Sequence, residues 1–181
     1  MLFRVVLSDL SGMNAKKPFC SLLSRWLSVF VCSIALAGRA QPATNTTANA
    51  AFSPKTIVVL GDSITAGYGV DPSEAYPALL QEKIKSAGLN FTVVNAGVSG
   101  DTTADGLNRI NWLLRRPIDV LILELGGNDG LRGFPVSTIT TNLQMIIDRV
   151  KQKDPQAKIV IAGMRMPPNL GEAYTSAYKN I

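Results

Sequence analysis

The sequence predicts a single three-layer α/β/α domain on a doubly wound parallel sheet, and three observations carry that reading. Beyond Pro54, short runs rich in β-branched residues alternate with longer segments of helical period. The short runs are nearly continuous in apolar residues, as strands covered by helices on both faces are. The residues after each of the first three runs are dense in Gly, Ser, Asn and Asp, and in doubly wound sheets ligands bind just beyond the carboxyl ends of the strands.

Each element has its own justification. Strands are expected at 56–60 (TIVVL), 91–94 (FTVV), 120–125 (VLILEL) and 158–162 (KIVIA). Between the first two, Tyr76, Leu79, Leu80, Ile84 and Ala87 recur at three- and four-residue spacing, with Pro77 in the first turn and Gly88 at the far end. That pattern is an amphipathic helix with its start and stop signals. Leu107, Ile110 and Leu114 mark a second helix, capped by Asp101 or Thr102. Ile139, Leu143, Ile146, Ile147 and Val150 mark a third, and a fourth begins near Glu172 and meets the end of the sequence at Ile181. A sheet of this kind leads one to expect at least one more strand. In a 2-1-3-4 strand order the first and third strands flank the switch point, so Ser63 and Asn128 should face one crevice with Gly100 beside it.

Composition bounds what this domain can do. The 181 residues carry 18 basic and 13 acidic groups, a formal net charge of +5. Arg4, Lys16, Lys17, Arg25 and Arg39, set against Asp9, place most of that excess before residue 40, leaving 13 basic and 12 acidic groups in the rest. A nearly neutral body with no basic stripe interleaved with aromatics argues against nucleic-acid binding. The chain has no histidine, which removes the usual general base near neutral pH and the commonest transition-metal ligand. Both cysteines, Cys20 and Cys32, lie before the domain, so a disulfide framework, a CxxC pair and a structural zinc site are excluded and no metal or cofactor is expected.

Residues 26–37 (WLSVFVCSIALA) form an uncharged, mainly apolar run preceded by Lys16, Lys17 and Arg25 and closed by small residues. That is the layout of a secretory signal peptide spanning 1–37 and cleaved after Ala37, with either Met1 or Met13 as its start. Residues 38–54 are small, polar and aperiodic, a flexible spacer, and 55–181 form the domain. An exported, periplasmic or secreted monomer is expected, with no stable membrane insertion after cleavage.

The turns after the strands read Gly61-Asp62-Ser63-Ile64, Gly97-Val98-Ser99-Gly100-Asp101 and Gly126-Gly127-Asn128-Asp129. Together they resemble the ordered blocks of the SGNH (GDSL-type) hydrolase superfamily, with its flavodoxin-like sheet. The wider strings GDSITAGYGV, NAGVSGDTTADGL, ELGGNDGLRGF and MRMPPNLG are similar in particular to its bacterial thioesterase I / protease I / lysophospholipase and arylesterase group. The resemblance implies Ser63 as a nucleophile that becomes acylated by an ester or thioester substrate. It implies the Ser63 and Gly100 backbone N–H groups and the Asn128 amide as oxyanion donors, with Asp62 and Asp129 supporting the loops. The family's D-x-x-H block, source of its general base and orienting carboxylate, has no counterpart here. The sequence is therefore read as a C-terminally truncated member, inactive as it stands, whose gene continues past Ile181.

A noncatalytic flavodoxin-like module or remnant binding an anion or nucleotide could use the same Gly-rich turns, but no Walker pattern or third fingerprint glycine follows. Neither serine-bearing turn gives the G-x-S-x-G elbow of α/β-hydrolases, and no lysine stands in these loops for a serine-lysine dyad. Glu124 is read as a sheet-edge or hydrogen-bonded residue rather than an acid catalyst. Leu131, Arg132, Gly133 and Phe134 form either a mobile lip or a plain surface turn, and Phe134 and Pro167 are candidates to line an acyl pocket.

Overall fold

A computed structural model describes residues 5–7 and 53–181 of the chain. The apolar run 26–37, both cysteines and nearly all of the spacer lie outside the described residues. Among the described residues five strands form one sheet: β1 (Val5–Leu7), β2 (Lys55–Gly61), β3 (Phe91–Gly97), β4 (Val120–Glu124) and β5 (Lys158–Ala162), in the order β1-β5-β4-β2-β3. The last four are mutually parallel, and among them the order is the expected 2-1-3-4. The outer edge of β5 carries β1 in antiparallel register, Val6 opposite Ile161. This fifth, antiparallel strand was not among the elements expected from the sequence.

Alternation along each strand divides the core in two. Val58 and Leu60 of β2 with Leu121 and Leu123 of β4 pack beneath α3 (Thr103–Leu113) and α5 (Val136–Lys153), where Ile110, Ile139, Ile146 and Val150 are completely buried. Ile57 and Val59 face the other way with Val93 and Ile122, towards Ile84 and Leu80 of α2 (Tyr76–Ser86). Helices therefore lie on both faces, as predicted for this fold. β3 departs from the expectation of strands buried on both sides, because it is an edge strand on which Thr92, Val94 and Asn95 are exposed. It is also three residues longer than its apolar run, since pairing with β2 continues in register from Lys55–Phe91 to Gly61–Gly97.

Of the two caps considered for α3, Thr102 is the one used: its hydroxyl oxygen accepts from the Asp105 amide, and Asp105 accepts back from the Thr102 amide. Two short helices, α1 (Ser63–Ala66) and α4 (Gly127–Leu131), were not foreseen. Each falls inside a Gly-rich turn and is too short for any periodicity to reveal it. α6 (Glu172–Lys179) follows a 3₁₀ turn at Pro168–Leu170 and buries Tyr178 against the α3/α5 core.

Candidate active site

The turns after β2, β3 and β4 emerge side by side at the carboxyl edge of the sheet. After β2, Asp62 caps α1 by accepting the Ile64 amide on Oδ1 at 3.0 Å, and Ser63 is the first helical residue. After β3, the chain turns through Gly100, whose φ of 88° is the left-handed conformation that a residue with a Cβ adopts only under strain. After β4, Gly126 at φ 111° opens α4, which presents Asn128.

One side chain ties the three turns together. Asn128 Nδ2 donates to the Asp101 carbonyl at 2.9 Å, next to Gly100, and to Asp62 Oδ2 at 3.2 Å, next to Ser63. Both amide hydrogens thus face protein acceptors, the Asp62 bond being the longer. The Ser63 hydroxyl and amide and the Gly100 amide donate to no group among the described residues. Asp129 works from below: it is buried and accepts from the Thr103 amide at 2.9 Å and the Thr103 hydroxyl at 2.6 Å, joining α4 to the start of α3. Asp62 is buried as well, and its carboxyl is pushed above the usual range, first by loss of water and then by the neighbouring Asp101 and Asp129 charges, against the Ile64 amide that favours the anion.

Two further groups hold this edge, Arg109 and Glu124, of which only Glu124 has a reading from the sequence. Arg109 of α3 pairs with Asp101 through Nε at 2.7 Å and reaches the Gly61 carbonyl through Nη2 at 3.1 Å, clamping the first turn to the second. Nothing in the spacing of Arg109 pointed to a carbonyl 48 residues away. Glu124 lies on β4, an interior strand, so of its two readings the sheet-edge one fails and the hydrogen-bonded one stands: Oε2 accepts from the buried Thr65 hydroxyl at 2.8 Å.

Glycines in these motifs are required by contact as much as by conformation. A Cβ at Gly61 would overlap the Thr65 side chain and stand 2.7 Å from Glu124 Oε2, and one at Gly97 would collide with the α1 backbone. The segment after α4 is a turn tied down by the Phe134 amide donating to the Asp129 carbonyl at 3.0 Å and by Tyr174 donating to the Phe134 carbonyl at 2.7 Å. The Phe134 ring is partly exposed, and Pro167 precedes the 3₁₀ turn. Among the described residues no cluster of three His, Cys, Asp or Glu could hold a metal ion, and no helix is long and apolar enough to cross a membrane.

Fold and site together define a three-layer, flavodoxin-like α/β protein in which a G-D-S turn, an S-G turn and a G-N-D turn are joined at the switch point of the sheet. The GDSL-like Lipase/Acylhydrolase family matches residues 59–180, and the chain belongs to it. It is 43% identical over 128 residues to thioesterase 1/protease 1/lysophospholipase L1 of Escherichia coli, covering 70% of this chain and 59% of that protein. It is 42% identical over 126 residues to an arylesterase of Vibrio mimicus, covering 69% and 62% respectively. The chain thus spans about six-tenths of the length of these curated relatives. Among solved structures it is similar to AlinE4, an SGNH-hydrolase family esterase, at 44% identity and a TM-score of 0.65, covering 69% of this chain and 67% of that one. It is likewise similar to TesA, at 39% identity and a TM-score of 0.67, covering 70% and 69%.

Proposed function

We propose that the protein is a serine esterase or thioesterase of exported type that forms an acyl-enzyme on Ser63. The observation carrying this is the Asn128 bridge, which brings an uncommitted serine hydroxyl, an unpaired Gly100 amide and a side-chain amide to one edge of the sheet. In the first step Ser63 Oγ bonds to the carbonyl carbon of the substrate and gives up its proton, and the carbonyl oxygen becomes an oxyanion. The Ser63 and Gly100 amides and Asn128 Nδ2, exchanging its longer bond to Asp62, stabilise that charge, with each donor worth about 2.7–4 kcal/mol of barrier. Collapse expels the alcohol or thiol, which takes up a proton, and water then releases the carboxylic acid from Ser63.

The serine proton needs an acceptor, and none of the 181 residues is a histidine. Taken alone, these residues retain the crevice and should turn over esters poorly, because losing the base of a catalytic triad leaves only about 10³–10⁴-fold catalysis over water. Ester and thioester substrates are favoured by the relatives, which are by name an arylesterase and a thioesterase/lysophospholipase. Export rests on the 1–37 leader, and N-terminal sequencing of the mature protein should begin at Gly38.

A fluorophosphonate probe tests the assignment. The expected result is a slow adduct located at Ser63 by peptide mass spectrometry and lost in Ser63→Ala. An adduct elsewhere, or none together with measurable nucleotide affinity, would replace this reading with an anion-binding module.

A further inference from the structure

Beneath the serine-bearing turn lies a buried carboxyl group that the proposed chemistry does not use. Glu124 ends β4, and its side chain reaches under the turn between β2 and α1. There Oε2 accepts the Thr65 hydroxyl at 2.8 Å. The single Thr65 proton is therefore committed to Glu124, so in the 2.8 Å contact between Thr65 Oγ1 and the Tyr76 hydroxyl the tyrosine donates. The result is a directed relay from Tyr76 on α2, through Thr65 on α1, to Glu124 on β4. It needs the glycine at 61, where any side chain would displace both Thr65 and Glu124.

We propose that Glu124 is the positioning residue of this site: by gripping the turn from below through Thr65, two residues beyond Ser63, it fixes the direction of the Ser63 hydroxyl and keeps the Ser63 amide free of protein acceptors. The proposal rests on the reading of Ser63 as nucleophile. Asp62 cannot do the same work, since its carboxylate is turned to Ile64 and Asn128. The ionisable groups facing Glu124 are Asp62 from the β2–α1 turn, Tyr76 from α2 and Tyr178 from α6, while the nearby cation Arg109 is engaged with Asp101 and the Gly61 carbonyl. Among the described residues no cation stabilises the anion. Burial, and secondarily Asp62, raises the carboxyl to about 7 against the Thr65 and backbone hydrogen bonds. Its partner, the Thr65 hydroxyl, donates, so the grip is firmer when Glu124 is ionised.

The experiment compares the full chain with Glu124→Gln and, as an independent break of the same relay, Thr65→Val with Thr65→Ser as its conservative control. Fluorophosphonate labelling of Ser63 is measured from pH 5.5 to 8.5, and the wild-type to variant ratio cancels the general effect of hydroxide. The ratio to Glu124→Gln should rise from near unity at low pH to about tenfold above neutrality. Thr65→Val should lose about as much and Thr65→Ser little. A ratio flat at unity for both breaking variants overturns the proposal. If the wild type does not label, the nucleophile reading fails, and the grip is judged by NMR. Backbone amides of Asp62, Ser63 and Thr65 should titrate together near neutral pH in the wild type and not in Glu124→Gln. Independent or absent titration overturns the proposal on that arm too.

Discussion

At the scale of single residues, the two site glycines are needed for different reasons, and substitution separates them. Gly100 has open space where a Cβ would go, so Gly100→Ala meets only the backbone cost of φ 88°, about 1–2 kcal/mol. Gly61→Ala forces a methyl group onto Thr65 and within 2.7 Å of Glu124 Oε2, adding overpacking to the loss of a buried hydrogen bond. Its cost should exceed about 3 kcal/mol, and in thermal unfolding its Tm should fall at least twice as far as that of Gly100→Ala. Equal shifts would mean that Glu124 and Thr65 can move aside. The residue scale is also where the sequence was least legible. Asp62, Ser63, Gly100, Asn128 and Asp129 stand out because their turns carry recognisable strings, whereas Glu124 reads as one acid in an apolar strand and Arg109 as one charge on a helix. Their partners Thr65 and Gly61 lie 59 and 48 residues away, and no local pattern encodes such contacts.

At the scale of elements, α3 has its start secured twice. Asp105 accepts from the Thr102 amide and, at 2.6 Å, from the Thr102 hydroxyl, in a capping box on the partly exposed side; Asp129 takes the Thr103 amide and hydroxyl in the interior. The cap was legible only as one of two neighbours, Asp101 or Thr102, because both residue types favour a helix start. The second tie was not, since it comes from α4, a helix hidden within a Gly-rich turn. Removing them should cost unequal amounts. Thr102→Ala loses a cap worth about 1 kcal/mol, while Asp129→Ala strands two buried donors and should cost about 2–4 kcal/mol. Chemical denaturation of both variants checks the order, and Asp129→Ala should also loosen α4, seen as faster hydrogen exchange at Asn128. A Thr102→Ala cost equal to or above that of Asp129→Ala would show that the interior tie is dispensable.

At the scale of the whole molecule, strand order follows from the alternation of apolar runs and helical segments, because parallel strands joined by right-handed crossovers leave few other arrangements. The antiparallel β1 was not foreseen, since three residues carry no usable period. What the fold imposes globally is a concentration of acids under its carboxyl edge, where Asp101 and Asp129 help raise Asp62, and Asp62 helps raise Glu124. A carboxyl raised in the folded state binds protons more tightly there than in the unfolded chain, so its contribution to stability is complete at low pH and is lost as pH rises. For Glu124 the window runs from 4.5 to about 7. Carboxyls held low act in the opposite sense, but Asp105, lowered by its Thr102 hydrogen bonds, is already ionised above pH 5 and adds no slope there. The protein should therefore lose roughly 2–3 kcal/mol between pH 5 and 7.5, with Asp62 acting in the same direction. Glu124→Gln removes the larger titration and should flatten the curve, so denaturant midpoints of the two proteins should converge at pH 5 and diverge in favour of the variant at 7.5, to the extent that the lost Thr65 grip does not offset it. Parallel curves for the two proteins would mean that the carboxyl is solvated well enough to titrate as an ordinary glutamate.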